Sequence, residues 1–234
     1  MNTNNSTINT VDFNYNFNNF NPEEIQSEET INAVFVVDVS PSISRYNTEL
    51  NTAFNDFVQE MQQSHIQDRL FVSTVEFCEA VEVKSGFQPI SNIPQMNFKP
   101  TGHGTALYDA TEKALKNALD YRNSLEQSGI VCKTLLFILT DGMDNSSDYN
   151  AAPRVKADIE KFLQSEKNTF TFTSILFGIG KDNETYYKQA KDEMGIQHLA
   201  TIGNTAKDIR KMINFISSSI SLSSSGKKVS AVNF

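Results

Sequence analysis

Three continuous apolar runs constrain this chain more than anything else in it: INAVFVVD at 31–38, KTLLFILTDG at 133–142 and TFTFTSILFGIG at 169–180. None shows the polar–apolar alternation of a half-exposed strand over its length. Each reads as a strand buried on both faces, as parallel strands are in layered α/β folds. The first run ends on Asp38, and the second delivers Asp141 near its end. A carboxylate at the end of a buried strand needs a partner or a purpose.

Helical spacing fills the intervals. Leu50, Phe54, Phe57, Val58 and Met61 fall on one face, as do Ala106, Leu107, Ala110, Ala114, Leu115, Ala118 and Leu119. Residues 69–77 and 80–86 read as two strands of a hairpin, and Pro89, Pro94, Pro100, Gly102 and Gly104 make 87–104 a loop. Pro153 suits the first turn of a helix carrying Val155, Ile159, Phe162 and Leu163. A short helix over 183–193, a short strand over 197–201 and a last helix over 205–220 complete the pattern. The alternation predicts an α/β three-layer fold: an open, mostly parallel sheet with one antiparallel edge strand and helices on both faces. Ligands in such folds collect at the carboxyl ends of the strands, near the point where strand order reverses.

The expected division is an Asn-rich, flexible arm over 1–29, one domain over 30–221 and a tail over 222–234. The arm cannot build a core alone. Its aromatics Phe13, Tyr15, Phe17 and Phe20 leave a second reading open, an arm that docks on this domain or on a partner. The net charge of −8 and the lack of a Lys/Arg cluster speak against nucleic acid and anionic membranes as partners. No apolar run approaches the roughly 18 residues of a membrane span. Cys78 and Cys132 have no CxxC or zinc spacing and read as reduced thiols, with a disulfide between them as the alternative. The opening has no signal-peptide pattern, so a cytoplasmic protein is expected; a virion protein would read the same.

Three segments should meet on one edge of the sheet: Asp38-Val39-Ser40-Pro41-Ser42, TGHGTALYDA at 101–110 with Thr105 opening a helix, and LTDGMDN at 139–145. Together they offer two carboxylates, Asp38 and Asp141, and three hydroxyls, Ser40, Ser42 and Thr105. Hard oxygen donors of this kind suit Mg²⁺ or Mn²⁺, with Ca²⁺ a poorer match. Ser42 or Ser44 also suits the cap of the following helix. Asp144 and Asn145 read as turn residues or as outer groups at the rim, and Asp109 as a packing or hydrogen-bonding residue of its helix.

DxSxS after a buried strand, then GTALYDA, then a strand ending in TDGxDN, resembles the von Willebrand factor type A domain, over about residues 30–220. The resemblance implies a metal-ion-dependent adhesion site. In that site Ser40 and Ser42 bind the ion directly, Thr105 binds directly or through water, and Asp38 and Asp141 act largely through waters and hydrogen bonds. One position is then left for a partner protein's Glu or Asp, so the implied function is metal-bridged protein binding. Pro41 stands where many members have Gly, which should stiffen the loop. Gly102-His103-Gly104-Thr105 replaces the common Gly-Gly-Thr, placing His103 on the rim. The chain is most similar to small bacterial and phage members of the tellurium-resistance-cluster type, often encoded near protein kinases, phosphatases or AAA+ ATPases.

Other functions fit less well. GHGT resembles the His motif of subtilisin-like proteases, but no matching nucleophile motif follows. A haloacid-dehalogenase-type phosphatase would want Asp where Ser40 stands, and no GxxxxGK[ST] is present. The expectation is therefore a binding module that is not an enzyme. A structural or assembly protein of a phage or bacterial particle is the alternative, and a metal-dependent hydrolase comes third.

Overall fold

The computed structural model describes residues 18–164 and 171–226. Phe13, Tyr15 and Phe17 of the arm lie outside the described residues, as does most of the tail. Six strands form one sheet: β1 (Glu29–Asp38), β2 (Leu70–Phe77), β3 (Val81–Pro89), β4 (Val131–Thr140), β5 (Phe172–Ile179) and β6 (His198–Ile202). Their order is β3-β2-β1-β4-β5-β6; only the β2–β3 pair is antiparallel. The long helices are α1 (Asn47–Gln62), α2 (Leu107–Gln127), α3 (Ala151–Leu163), α4 (Glu184–Met194) and α5 (Ala206–Ser224).

The middle strand explains the layers. In β1, Ile31, Ala33, Phe35 and Val37 face a core shared with α1 and α5, while Val34 and Val36 face one shared with α2, α3 and α4. Both sets are fully buried, so this strand has no polar face to show. Phe35 meets Phe54 and Phe57 edge-on and stacks on Phe137 at 5.4 Å.

Three elements differ from the sequence expectation. β3 runs to Pro89, at the end of an edge strand where proline is tolerated, and a 3-10 helix over Ile90–Asn92 follows inside the stretch read as a loop. α2 runs to Gln127 because Tyr121 and Leu125 continue its buried stripe. α1 does not begin at a Ser cap: a 3-10 helix over Pro41–Tyr46 precedes it, and neither helix start has a side-chain cap. Pro41 is at the first turn of that 3-10 helix, where its fixed φ costs nothing, and it holds Ser40 extended at ψ 162°.

Strand order reverses between β1 and β4, so the carboxyl ends of these two neighbours form the switch point. Asp38 is the last residue of β1, and Asp141 follows the last residue of β4.

Of the two arm readings, the described part bears on docking. The Phe20 N–H donates to the Phe87 carbonyl at 2.6 Å, Asn19 Oδ1 accepts from the Phe87 N–H, and the Phe20 ring lies 5.9 Å from Phe71. Cys78 and Cys132 are both free and buried. Among the described residues no helix is long and apolar enough to cross a membrane.

Candidate metal site

Asp38 is fully buried, and both its oxygens are engaged. Oδ1 accepts from the Ser40 N–H at 2.8 Å and Oδ2 from the Thr140 hydroxyl at 2.6 Å. The carboxylate therefore fixes the turn after β1 and ties it to the end of β4. Ser40 and Ser42 then place their hydroxyls 3.0 Å apart, and Ser42 Oγ donates to Asp141 Oδ1 at 2.6 Å. Residues 99 apart in sequence meet here.

Thr105 is buried beside them. A Cβ placed on Gly142 would lie 3.6 Å from Thr105 Oγ1, so this hydroxyl stands against the turn that carries Asp141. The structure thus brings Asp38, Ser40, Ser42, Thr105 and Asp141 to one place on the switch-point edge. His103 is exposed on the neighbouring loop.

Thr105 is held by a lattice of backbone bonds. α2 has no capping side chain of its own. Its cap comes from the loop after β4: Asp144 Oδ1 accepts from Leu107 N–H, and Ser147 Oγ accepts from both Tyr108 N–H and Asp109 N–H at 3.1 Å. Asn145 Oδ1 accepts from Thr105 N–H at 2.8 Å, and the Thr105 carbonyl accepts from the N–H groups of Asn145 and Ser146. Asp144 and Asn145 therefore weld the Thr105 loop to the Asp141 loop. Asp109 adds a bond, its Oδ2 accepting from Asp148 N–H. From the other flank, Glu79 Oε2 accepts from His103 N–H at 2.6 Å and Gly104 N–H at 3.2 Å. Gly102 has φ +75°, and a Cβ there would collide with that carboxylate. Asn183, just before α4, and Tyr186 in α4 complete the support: Asn183 Nδ2 donates to the Asp141 carbonyl, and the Tyr186 hydroxyl accepts from Asp144 N–H.

Thr140, Glu79, Ser147, Asn183 and Tyr186 were not singled out by the sequence. For Thr140 the signal was the residue before Asp141 in LTDG; for the others the partner lies far away in the chain.

The electrostatics follow from burial. Desolvation pushes the Asp38 carboxyl up to about 6, against the pull of its Thr140 and Ser40 hydrogen bonds, and Asp141 adds like-charge repulsion. Asp141 is raised for the same reason, while its bonds to Ser42 and the Arg45 charge hold it down. Buried, mutually repelling carboxylates among hydroxyl oxygens fit a small hard divalent ion, which would neutralise them. Among the described residues no three His, Cys, Asp or Glu side chains converge, so the candidate donors are two carboxylates and three hydroxyls.

The sequence profile described as the von Willebrand factor type A domain matches residues 32–221. No curated protein matches the chain. Among solved structures, the chain is similar to a D319A mutant of the PilB minor pilin from Streptococcus sanguinis, with a TM-score of 0.57 and 14% identity, covering 86% of this chain and 64% of that one. It is similar to the conserved hypothetical protein BatB from Bacteroides thetaiotaomicron, with a TM-score of 0.52 and 15% identity, over 83% of this chain and 99% of that one. It is also similar to proximal thread matrix protein 1 from the mussel byssus with a zinc-occupied MIDAS motif, with a TM-score of 0.51 and 17% identity, over 81% and 45%. The chain spans less than two thirds of the length of the pilin and of the byssus protein.

Proposed function

Because the chain belongs to the von Willebrand factor type A domain family, we propose that it is a protein-binding module that captures a partner's Glu or Asp through a divalent cation at the switch-point edge. The observation that carries this reading is the contact of the β1 turn with the β4 end, Ser42 Oγ to Asp141 Oδ1 at 2.6 Å, above a buried Asp38. Ser40, Ser42 and Thr105 would hold the ion. Asp38 and Asp141 would balance its charge and orient the hydroxyls. When bound, the ion supplies a positive centre to which a partner carboxylate adds as a further oxygen ligand.

Several features support the finer points. Oxygen donors alone favour Mg²⁺ or Mn²⁺ over softer metals, although the byssus protein holds zinc at its own motif. Among the described residues no His meets a hydroxyl at the site: His103 is exposed, and the Ser40 and Ser42 hydroxyls bond each other and Asp141. This supports binding without catalysis. Asp144 and Asn145 after the strand end, with the Ser-rich last helix, support a kinship with the tellurium-resistance-cluster type. Protein kinases, phosphatases and AAA+ ATPases are therefore the first partner classes to test. The two free thiols support a reducing compartment such as the cytoplasm.

The test is partner capture from lysate with Mg²⁺, with EDTA, and with the Asp38→Ala variant. Capture lost in both of the last two is expected. Capture that survives both would show that the metal bridge is wrong. Turnover of phosphoesters or peptides that vanishes in the same variant would point to an enzyme instead.

A further inference from the structure

We propose that Arg45 is a second anchor for the incoming carboxylate, its guanidinium fork standing beside the cation edge to bind the partner group together with the ion. The inference rests on the carboxylate-capture reading and adds a residue to it.

The placement comes from the 3-10 helix Pro41–Tyr46. With three residues per turn, side chains at i and i+3 eclipse. Ser42 and Arg45 therefore project on the same side, and Ser42 is the residue whose hydroxyl meets Asp141. Arg45 is exposed yet pinned at two points. Its Nε–H donates to the Ser42 carbonyl at 3.2 Å, and Cζ lies 5.4 Å from the centre of the buried Tyr46 ring. Neither contact uses the terminal Nη groups, and among the described residues Arg45 forms no ion pair.

A fixed guanidinium with its fork free is what a carboxylate binds best. A divalent ion bound to one oxygen of an incoming carboxylate would leave the second oxygen to be satisfied. An Arg held beside the ion by stacking and a backbone bond has lost much of its side-chain freedom already, so little more is lost on binding. The competing role is charge balance alone, in which Arg45 offsets Asp38 and Asp141 until a cation arrives. The two roles differ in what happens to the ligand. A balancing cation competes with the metal and ignores the ligand; an anchor reads the ligand.

The experiment uses the full chain, Mn²⁺ as the ion and N-acetyl-glutamic acid α-amide as the carboxylate probe. Mn²⁺ affinity is measured first. The probe is then titrated against Mn²⁺-loaded protein by water-proton relaxation, and against Mg²⁺-loaded protein by the ¹⁵Nε resonance of Arg45. We expect Arg45→Gln to weaken the probe roughly tenfold, the lower end for a charge-assisted pair at an exposed site. Mn²⁺ affinity should stay the same or tighten, Arg45→Lys should fall between, and the Arg45 resonance should shift on probe addition. Equal probe affinity in wild type and Arg45→Gln overturns the proposal, and tighter Mn²⁺ alone then assigns charge balance. Mn²⁺ binding without any probe binding overturns carboxylate capture and this proposal together. No Mn²⁺ binding by the wild type overturns the metal reading itself.

Discussion

Asp38 is a carboxylate that the fold makes reluctant to ionise, and this has a sign. Its folded value of about 6 lies above the ordinary 3.8, so the folded state holds the proton more tightly than the unfolded chain. The associated stability is complete below about pH 4 and is lost as pH rises through about 6. Asp141, also raised by burial, acts in the same direction. Metal-free protein should therefore lose stability on the order of 2 to 3 kcal/mol between pH 4 and 7 from Asp38. Thermal melting across that range should show the loss, and millimolar Mg²⁺ should reverse it at neutral pH. Cation affinity should climb with pH through about 6 and release a proton on binding, measurable by calorimetry in buffers of different ionisation heat. The Thr140 hydroxyl stabilises the ionised form, so Thr140→Val should move that climb to higher pH. An unmoved midpoint would show that the hydroxyl does not tune Asp38.

At the scale of elements, α2 is held at its first turn by residues about forty positions away. Ser147→Ala removes the acceptor of two N–H groups and should cost about 1 kcal/mol, as loss of a helix cap does. It should also weaken Mg²⁺ binding, because Thr105 sits just before that turn. The control is Thr205→Ala, which breaks the capping box of α5. It should cost a similar amount and leave cation affinity alone. Denaturant unfolding with Mg²⁺ titration of both variants separates the effects, and equal cation affinity in Ser147→Ala would disconnect the cap from the site. The positions of the strands and of most helices were legible because burial imposes periods of 2 and 3.6 on the sequence. The borrowed cap was not, because Asn145 and Ser147 look like ordinary turn residues until β4 and α2 are side by side. The start of α1 was misread for a related reason: Ser42 and Ser44 have the chemistry of caps, but Pro41 begins a 3-10 helix that puts Ser42 on Asp141 instead.

For the whole molecule, the middle strand is the common wall of both cores, so damage there should be global. Phe35→Ala removes a ring that touches Phe54, Phe57 and Phe137, and should cost about 3 to 5 kcal/mol. Cation binding works the other way, since an ion bound only by the folded state stabilises it by mass action, about 2.7 kcal/mol at a hundred times its Kd. Melting of Phe35→Ala with and without Mg²⁺ should show partial rescue. No rescue at saturating ion would mean that the site does not survive in the variant.

The sequence by itself determined the layered α/β architecture, the buried strands and the oxygen character of the candidate donors. These follow from local burial periods and from side-chain chemistry, which each segment carries alone. Only the tertiary structure decided that Asp38 is held by Thr140, that Thr105 is braced by Glu79 and Asn145, and that Arg45 stands over Ser42. Each of those depends on backbone direction and on partners distant in the chain, and strand order sets these after every local period has been satisfied.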